Sequence, residues 1–356
     1  MAADGGLIQP LQGLRGVCYI MIFVGHVQFL WGWPALGVTV FFVMSGFLLM
    51  LRHGGTARPP GCGLQFAAGR LGRIYPLYVL TVLAMLLLLL VEKGDAFCQA
   101  GTWLSVFLDL LLLQAWVPDR SVALSLNSVG WYLSAAFFLY ACFPRLSGLV
   151  ERLKDRQLLE GLVAVVLLQL VLAAAICMVS CGREEPQEFF VWGTYIFPIF
   201  RLGDFAAGCL AGCWSGRRLC QLRQIAGRQY RVLHAVTTAI LGLVAAVTLN
   251  LEQSPAGWQM VLHNWSTPFV LPAVLLVLLA ALDRGLMAYL LGSRLLAGLG
   301  NLSGSCYLIH FVVIRYGSSL AIAAGWQQDG VLVAGAEFVL TCFLAAAYQR
   351  VVKGVF

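Results

Sequence analysis

Histidine 26 lies in the middle of an apolar run, Leu14-Arg15-Gly16-Val17-Cys18-Tyr19-Ile20-Met21-Ile22-Phe23-Val24-Gly25-His26. Imidazole is the side chain whose unperturbed pKa is nearest neutrality, so it can take and return a proton at working pH. Arg15 precedes it by eleven residues. On a helix that spacing returns the chain to within roughly 20° of its start, about 16 Å further along. The two side chains therefore share a face, with the guanidinium near a membrane surface and the imidazole near mid-bilayer. An ionisable group at that depth is costly and reads as functional.

Further along stand Arg70 and Arg73, in Gly69-Arg70-Leu71-Gly72-Arg73-Ile74-Tyr75-Pro76. The i, i+3 spacing predicts that both lie on one helix face. With Arg15, and with Arg52 assisting, they would form a cationic rim. A guanidinium fork suits phosphate oxygens, although anchoring and snorkelling at a membrane surface explain the same residues. A donor with a phosphorylated head and a long flexible arm fits the layout, and acyl-coenzyme A has that shape. Its head would sit on the arginines while its arm threads to His26. The imidazole would deprotonate an acceptor hydroxyl for attack on the thioester carbonyl. This reading predicts an open path from rim to ring. Gly37, Ser45 and Gly46 on the next segment would allow close helix approach or leave room for the arm.

Composition says what must hold these groups. The chain has 356 residues, 60% hydrophobic and 11% charged, with mean hydropathy +0.86. A soluble domain carries about 25% charged residues. The apolar runs are continuous, unlike the short alternating segments of a β-barrel. The expected fold is all-α, a polytopic membrane protein forming one domain over 1–356. Apolar segments fall at roughly 16–31, 35–51, 74–91, 103–117, 129–146, 158–180, 194–214, 232–249, 266–282, 300–323 and 331–350. The segment at 103–117 is short and contains Asp109. If it dips in without crossing, most of the 23 lysines and arginines fall on the side of the N-terminus, as the positive-inside rule requires. The expectation is about ten transmembrane helices, one re-entrant or interfacial segment, and cytoplasmic termini. The net charge of +7 belongs to topology, so no nucleic-acid partner is expected. The 11 cysteines are scattered in apolar runs and read as small packing residues. No metal site is expected.

These blocks together resemble the acyltransferase 3 family of integral membrane acyltransferases. The resemblance rests on Leu14-Arg15-Gly16 with His26, on Gly37-Val38 with Phe41-Phe42-Val43-Met44-Ser45-Gly46-Phe47, and on Arg70-x-x-Arg73-Ile74-Tyr75-Pro76. It continues in Trp131-Tyr132-Leu133-Ser134, in Phe197-Pro198-Ile199-Phe200-Arg201-Leu202-Gly203-Asp204, and in Ser305-Cys306-Tyr307-Leu308-Ile309-His310. The blocks span nearly the whole chain in order. The resemblance implies an O-acyltransferase that takes an acyl group, commonly acetyl, from cytoplasmic acyl-coenzyme A. The acceptor would be a hydroxyl of a glycan, lipid-linked sugar or small molecule. It implies Arg15, Arg70 and Arg73 on the donor, His26 in catalysis, and His310 as a second histidine. One departure matters. Many relatives read Trp-Ser-Leu-x-x-Glu in the middle block, and here the glutamate's place is Ala136. The esterase-like domain fused to some relatives is also not expected here.

Other polar residues complete the expectations. Trp131 and Tyr132, with Ser134, are read as an acceptor platform at the outer end of their helix, where aromatic belts also occur. Arg201 and Asp204 can pair along one helix face or help hold the acceptor. Arg315 and Glu337 are expected to pair across two helices, and His53, His234 and His263 to be solvated. The plasma (bacterial inner) membrane is the expected location. Assembly is open, a homodimer included. The competing reading is a transporter or flippase for a glycan or lipid-linked precursor, in which the same residues line a path. A membrane scaffold, whose charges only specify packing, is the third.

Overall fold

The computed structural model describes residues 9–27, 33–54, 62–94, 99–222, 227–251, 265–282, 285–325 and 330–355. Among these there are helices and turns and no strand. We label the α-helices α1 (Gln9–His26), α2 (Trp33–His53), α3 (Gly63–Leu71), α4 (Tyr75–Glu92), α5 (Ala100–Leu110), α6 (Arg120–Ala123), α7 (Trp131–Glu151), α8 (Asp155–Ser180), α9 (Pro186–Val191), α10 (Pro198–Leu222), α11 (Gly227–Leu251), α12 (Val270–Leu282), α13 (Gly285–Leu291), α14 (Arg294–Ala324) and α15 (Val331–Val355). Seven described stretches are long and apolar enough to cross a bilayer, carried by α2, α4, α7, α8, α9 with α10, α14 and α15. The pair α12 and α13, bent by 86°, makes an eighth. Helices α1 and α11 are also long. In α1 the polar residues Gln9, Gln12, Arg15 and His26 lower the mean hydropathy.

Two close helix crossings organise the bundle. Gly46 of α2 meets the Phe205 carbonyl of α10, and Gly208 of α10 meets the Val43 carbonyl of α2; a Cβ at either would collide with backbone. Gly16 and Gly300 do the same for α1 against α14. These contacts answer what the small residues do on α2. Gly46 is spent on packing, whereas Ser45 borders a cavity.

The segment expected at 103–117 is short, as its composition suggests. Helix α5 has 11 residues, about 16 Å of rise, half a hydrocarbon core. It runs back along α4, so that the Tyr75 hydroxyl donates to the Leu110 carbonyl at 2.6 Å. The chain then turns through Leu112, at φ 56°, and returns to Arg120, which pairs with Glu188 at 3.1 Å. The turn is tied down inside the bundle. Buried Asp109 accepts from the Ser125 hydroxyl at 3.0 Å and lies 3.3 Å from the Tyr78 hydroxyl.

Two sequence expectations need correction. Helix α3 ends at Leu71 and α4 begins at Tyr75, with Pro76 in its first turn. Proline has no N–H to give and is favoured at a helix start. The i, i+3 argument for Arg70 and Arg73 therefore runs across a break. Arg315 does not pair with Glu337; it pairs with Glu92 at the end of α4, at 3.2 Å. The α14 helix packs against both α4 and α15, and sequence alone does not say which neighbour holds the carboxylate.

Candidate active site

A cavity of about 340 Å³ opens among α1, α2, α3, α7 and α14. Its mouth carries Arg15, Arg52 and Arg70, from three different helices. Along α2 its wall is Phe41, Ser45, Leu48 and Arg52, spacings of three and four that keep one helix face. Along α7 the wall is Tyr132, Ala136 and Tyr140, again at i, i+4 steps. The floor is Phe41, Tyr132 and Gly304. Among the described residues, no aspartate or glutamate lines it. Arg70 is hydrogen-bonded to the His53 ring, and its guanidinium lies 5.4 Å from the Phe66 ring centroid. His53, expected from the sequence to be solvated, steadies the rim instead. Arg73 is exposed and is not part of the cavity wall. His234 is partly buried on α11, and His263 lies outside the described residues.

His26 and His310 meet on the far side of that floor. Their ring centroids are 4.9 Å apart, edge to face at 78°. The Nδ1 of His26 lies 2.8 Å from the Ile22 carbonyl, and that of His310 lies 3.3 Å from the Cys306 carbonyl. A carbonyl only accepts, so each Nδ1 carries the proton and each Nε2 presents its lone pair. His310 is fully buried, and its Nε2 has no hydrogen-bond partner. His26 is partly exposed. Its ring faces α14 through His310 and, at 6.1 Å, Phe311.

The cavity does not reach this pair. Tyr132 on the floor stands 5.1 Å from Tyr307, and Tyr307 stands 5.8 Å from His310. Neither Tyr307 nor either histidine lines the cavity. Among the described residues, the rings of Tyr132 and Tyr307 stand in sequence between this cavity and His310.

The remaining acceptor candidates are enclosed. Trp131 is buried, and Tyr132 faces the cavity from the core. The Ser134 hydroxyl is committed to the Leu112 carbonyl at 2.5 Å. Arg201 and Asp204 are both fully buried and pair at 2.6 Å. Asp204 also accepts from Gln169 of α8 at 2.7 Å. Arg201 Nε donates to the Tyr195 carbonyl at 2.6 Å, within a π-helical turn over Trp192–Ile196. Such turns are frequent at functional sites. Phe42, Trp131 and Tyr195 surround the guanidinium at 4.5–5.6 Å. One of its nitrogens, Nη2, has no partner.

The sequence profile of the acyltransferase 3 family, described as an acyltransferase domain, matches residues 9–350. The chain belongs to this family. Among curated relatives it is similar to the protein named Acyltransferase MdmB of Streptomyces mycarofaciens. The two are 26% identical over 344 residues, 88% of this chain and 80% of that protein. No solved structure matches. The arginine-rimmed cavity and the histidine pair therefore sit in a helical, membrane-type acyltransferase. Among the residues that sequence reasoning missed, Tyr307 and His53 matter most to this geometry. Tyr307 was visible only as part of the block around His310 and His53 only as a histidine at a helix end, and neither position by itself points to the cavity.

Proposed function

We propose that the protein is an acyl-coenzyme A-dependent O-acyltransferase that transfers an acyl group, by family habit acetyl, to a hydroxyl of a glycan, lipid-linked sugar or small molecule. It would lie in the plasma membrane with ten crossings and both termini cytoplasmic, the arginine mouth facing the cytoplasm. Arg15 and Arg70, with Arg52 nearer solvent, hold the donor's phosphates, and the arm extends along the α2 and α7 stripes. His26 is the general base. Its Nε2 takes the acceptor's hydroxyl proton as the oxygen adds to the thioester carbonyl. The carbon–sulfur bond then breaks, and the thiolate collects the proton from the imidazolium. His310 sits where it can share that proton. Proton transfer of this kind contributes typically about 10²–10⁴-fold in rate.

One observation carries the reading: three arginines from separate helices converge on a cavity with no carboxylate among its described lining residues, and the ring of Tyr307 links Tyr132 on its wall to the two paired imidazoles. The test is purified protein in detergent with labelled acetyl-coenzyme A and a cell extract as acceptor source. Thiol release by wild type, with retained donor binding but lost turnover in His26→Ala, supports it. A wild type that neither binds the donor nor releases thiol overturns it, and movement of a lipid-linked glycan without thiol release would favour the transport reading.

A further inference from the structure

We propose that Glu337 is an acceptor-binding residue, whose carboxylate holds a vicinal hydroxyl pair of a sugar-bearing acceptor on the side of the histidine pair opposite the arginine cavity. The proposal rests on the reading above, in which the acceptor still lacks a place. Trp131, Ser134, Arg201 and Asp204 are buried, and the last three are committed to contacts of their own.

Helix α14 carries the positions in order. Gly304 lines the arginine cavity, His310 follows six residues later, and Gly317 seven residues after that. Seven residues put Gly317 about 10 Å beyond the imidazole and on nearly the same helix face. The Glu337 carboxylate of α15 rests on Gly317, where an added Cβ would come within 2.7 Å of Oε1. Among the described residues no hydrogen bond or salt bridge engages that carboxylate. Arg315, the cation expected to neutralise it, is taken by Glu92. Glu92 also accepts from the Ser319 hydroxyl, two residues past Gly317. Charged groups at a helix end belong at the polar edge of a bilayer, so Gly317 and Glu337 lie near the level that a hydrated sugar reaches.

The α1 face that carries His26 runs into the same cleft. Tyr19, Phe23 and His26 share that face, at steps of four and three. Phe338, beside Glu337, packs on Tyr19 and Phe23 at 5.8 and 5.1 Å. His26 lies one turn further out, and one turn further along α15 is the small residue Ala334. His26, Gly317 and Glu337 are each partly exposed. An ionised carboxylate only accepts, and its two oxygens can take one O–H each from adjacent hydroxyls. A hydrogen bond of about 2.7 Å at each end and one sugar ring between them fill the distance. Another hydroxyl of that ring then meets His26 Nε2.

Two readouts test the site. The first is acyl transfer from labelled acetyl-coenzyme A to a protein-free cell extract, titrated as acceptor. Glu337→Gln should raise the extract concentration giving half-maximal transfer about tenfold or more, with donor affinity and acceptor-free thiol release within about twofold of wild type. Gly317→Ala keeps the charge but displaces the carboxylate, and should shift the acceptor dependence in the same direction. A packing role for Glu337 would lower the unfolding temperature in detergent and leave the acceptor dependence alone. Extract treated with periodate, which cleaves vicinal diols, and then quenched should no longer accept the acyl group. The second readout needs no turnover: modification of Glu337 by dicyclohexylcarbodiimide, read by mass spectrometry. Intact extract should slow it and periodate-treated extract should not. Unchanged acceptor dependence in both variants, or full acceptance by periodate-treated extract, overturns the proposal while thiol release by wild type keeps the donor reading. Protection of Glu337 without any thiol release upholds sugar binding there and removes the donor reading beneath it. Neither protection nor thiol release overturns both.

Discussion

Arg70 and Arg73 look equivalent in the sequence, and the structure separates them. Arg70 is oriented before any ligand arrives, by the His53 ring and by the Phe66 face, and it borders the cavity. A net charge-assisted hydrogen bond is worth about 1.5–3 kcal/mol, so Arg70→Ala should weaken donor binding about 10- to 150-fold. Arg73 is exposed and off the wall. Its attraction acts through solvent and is worth at most about 1 kcal/mol, less than about fivefold. Arg70→Lys keeps the charge and loses the fork, and should recover only part of the loss. Equilibrium binding of labelled acetyl-coenzyme A to detergent-purified variants measures all three. Repeating it at higher salt should shrink the Arg73 effect further, because exposed charges are screened first. Equal losses at the two positions, or a larger loss at Arg73, would refute the reasoning.

His310→Ala should lower single-turnover acyl transfer by about 10²–10⁴-fold while leaving donor affinity unchanged, since the ring lies behind the cavity floor. Asp204→Ala leaves the Arg201 guanidinium buried and without its carboxylate, which should cost about 3–5 kcal/mol of stability. Thermal unfolding in detergent reads that loss, and the double change Arg201→Met with Asp204→Leu should regain most of it.

How far the sequence reached is clear at particular residues. Arg15 and His26 could be placed because a single uninterrupted helix connects them, and helical periodicity is dependable over three turns. Arg73 does not share a helix face with Arg70, because the helix carrying Arg70 stops at Leu71. The closure at Tyr132 and Tyr307 was not legible. It depends on how α7 and α14 meet, residues separated by more than a hundred positions, and aromatic side chains are interchangeable with core packing in an apolar run. Trp131 failed in the same manner: a tryptophan near a helix start reads as a belt residue, yet buried 3₁₀ turns over Gln114–Trp116 and Ser128–Gly130 carry this one into the core. The Arg201–Asp204 pair was legible because its spacing is local. Its partners Thr39 and Gln169 come from distant helices, and the Tyr195 carbonyl from a π-helical turn that periodicity does not announce, and these were not.

Ala136 gives the sharpest electrostatic consequence of this geometry. It stands on the cavity wall between Tyr132 and Tyr140, at the place where the family resemblance leads one to look for a glutamate. With alanine there, the described lining holds three arginines and no acid, so its charge is left for a bound anion to neutralise. A carboxylate introduced by Ala136→Glu would oppose a bound phosphate; for a separation taken as about 9 Å and an effective dielectric near 20 the repulsion is about 2 kcal/mol, or about twentyfold in affinity. Ala136→Gln fills almost the same volume without charge, so at this buried position it carries the same steric cost as the glutamate and none of its repulsion. The two variants are compared by donor binding at low and moderate salt, and only the glutamate's effect should lessen as salt rises. If both variants lose affinity alike, the wall responds to bulk and not to charge. The arginines would then be serving the protein's topology, with no phosphate between them.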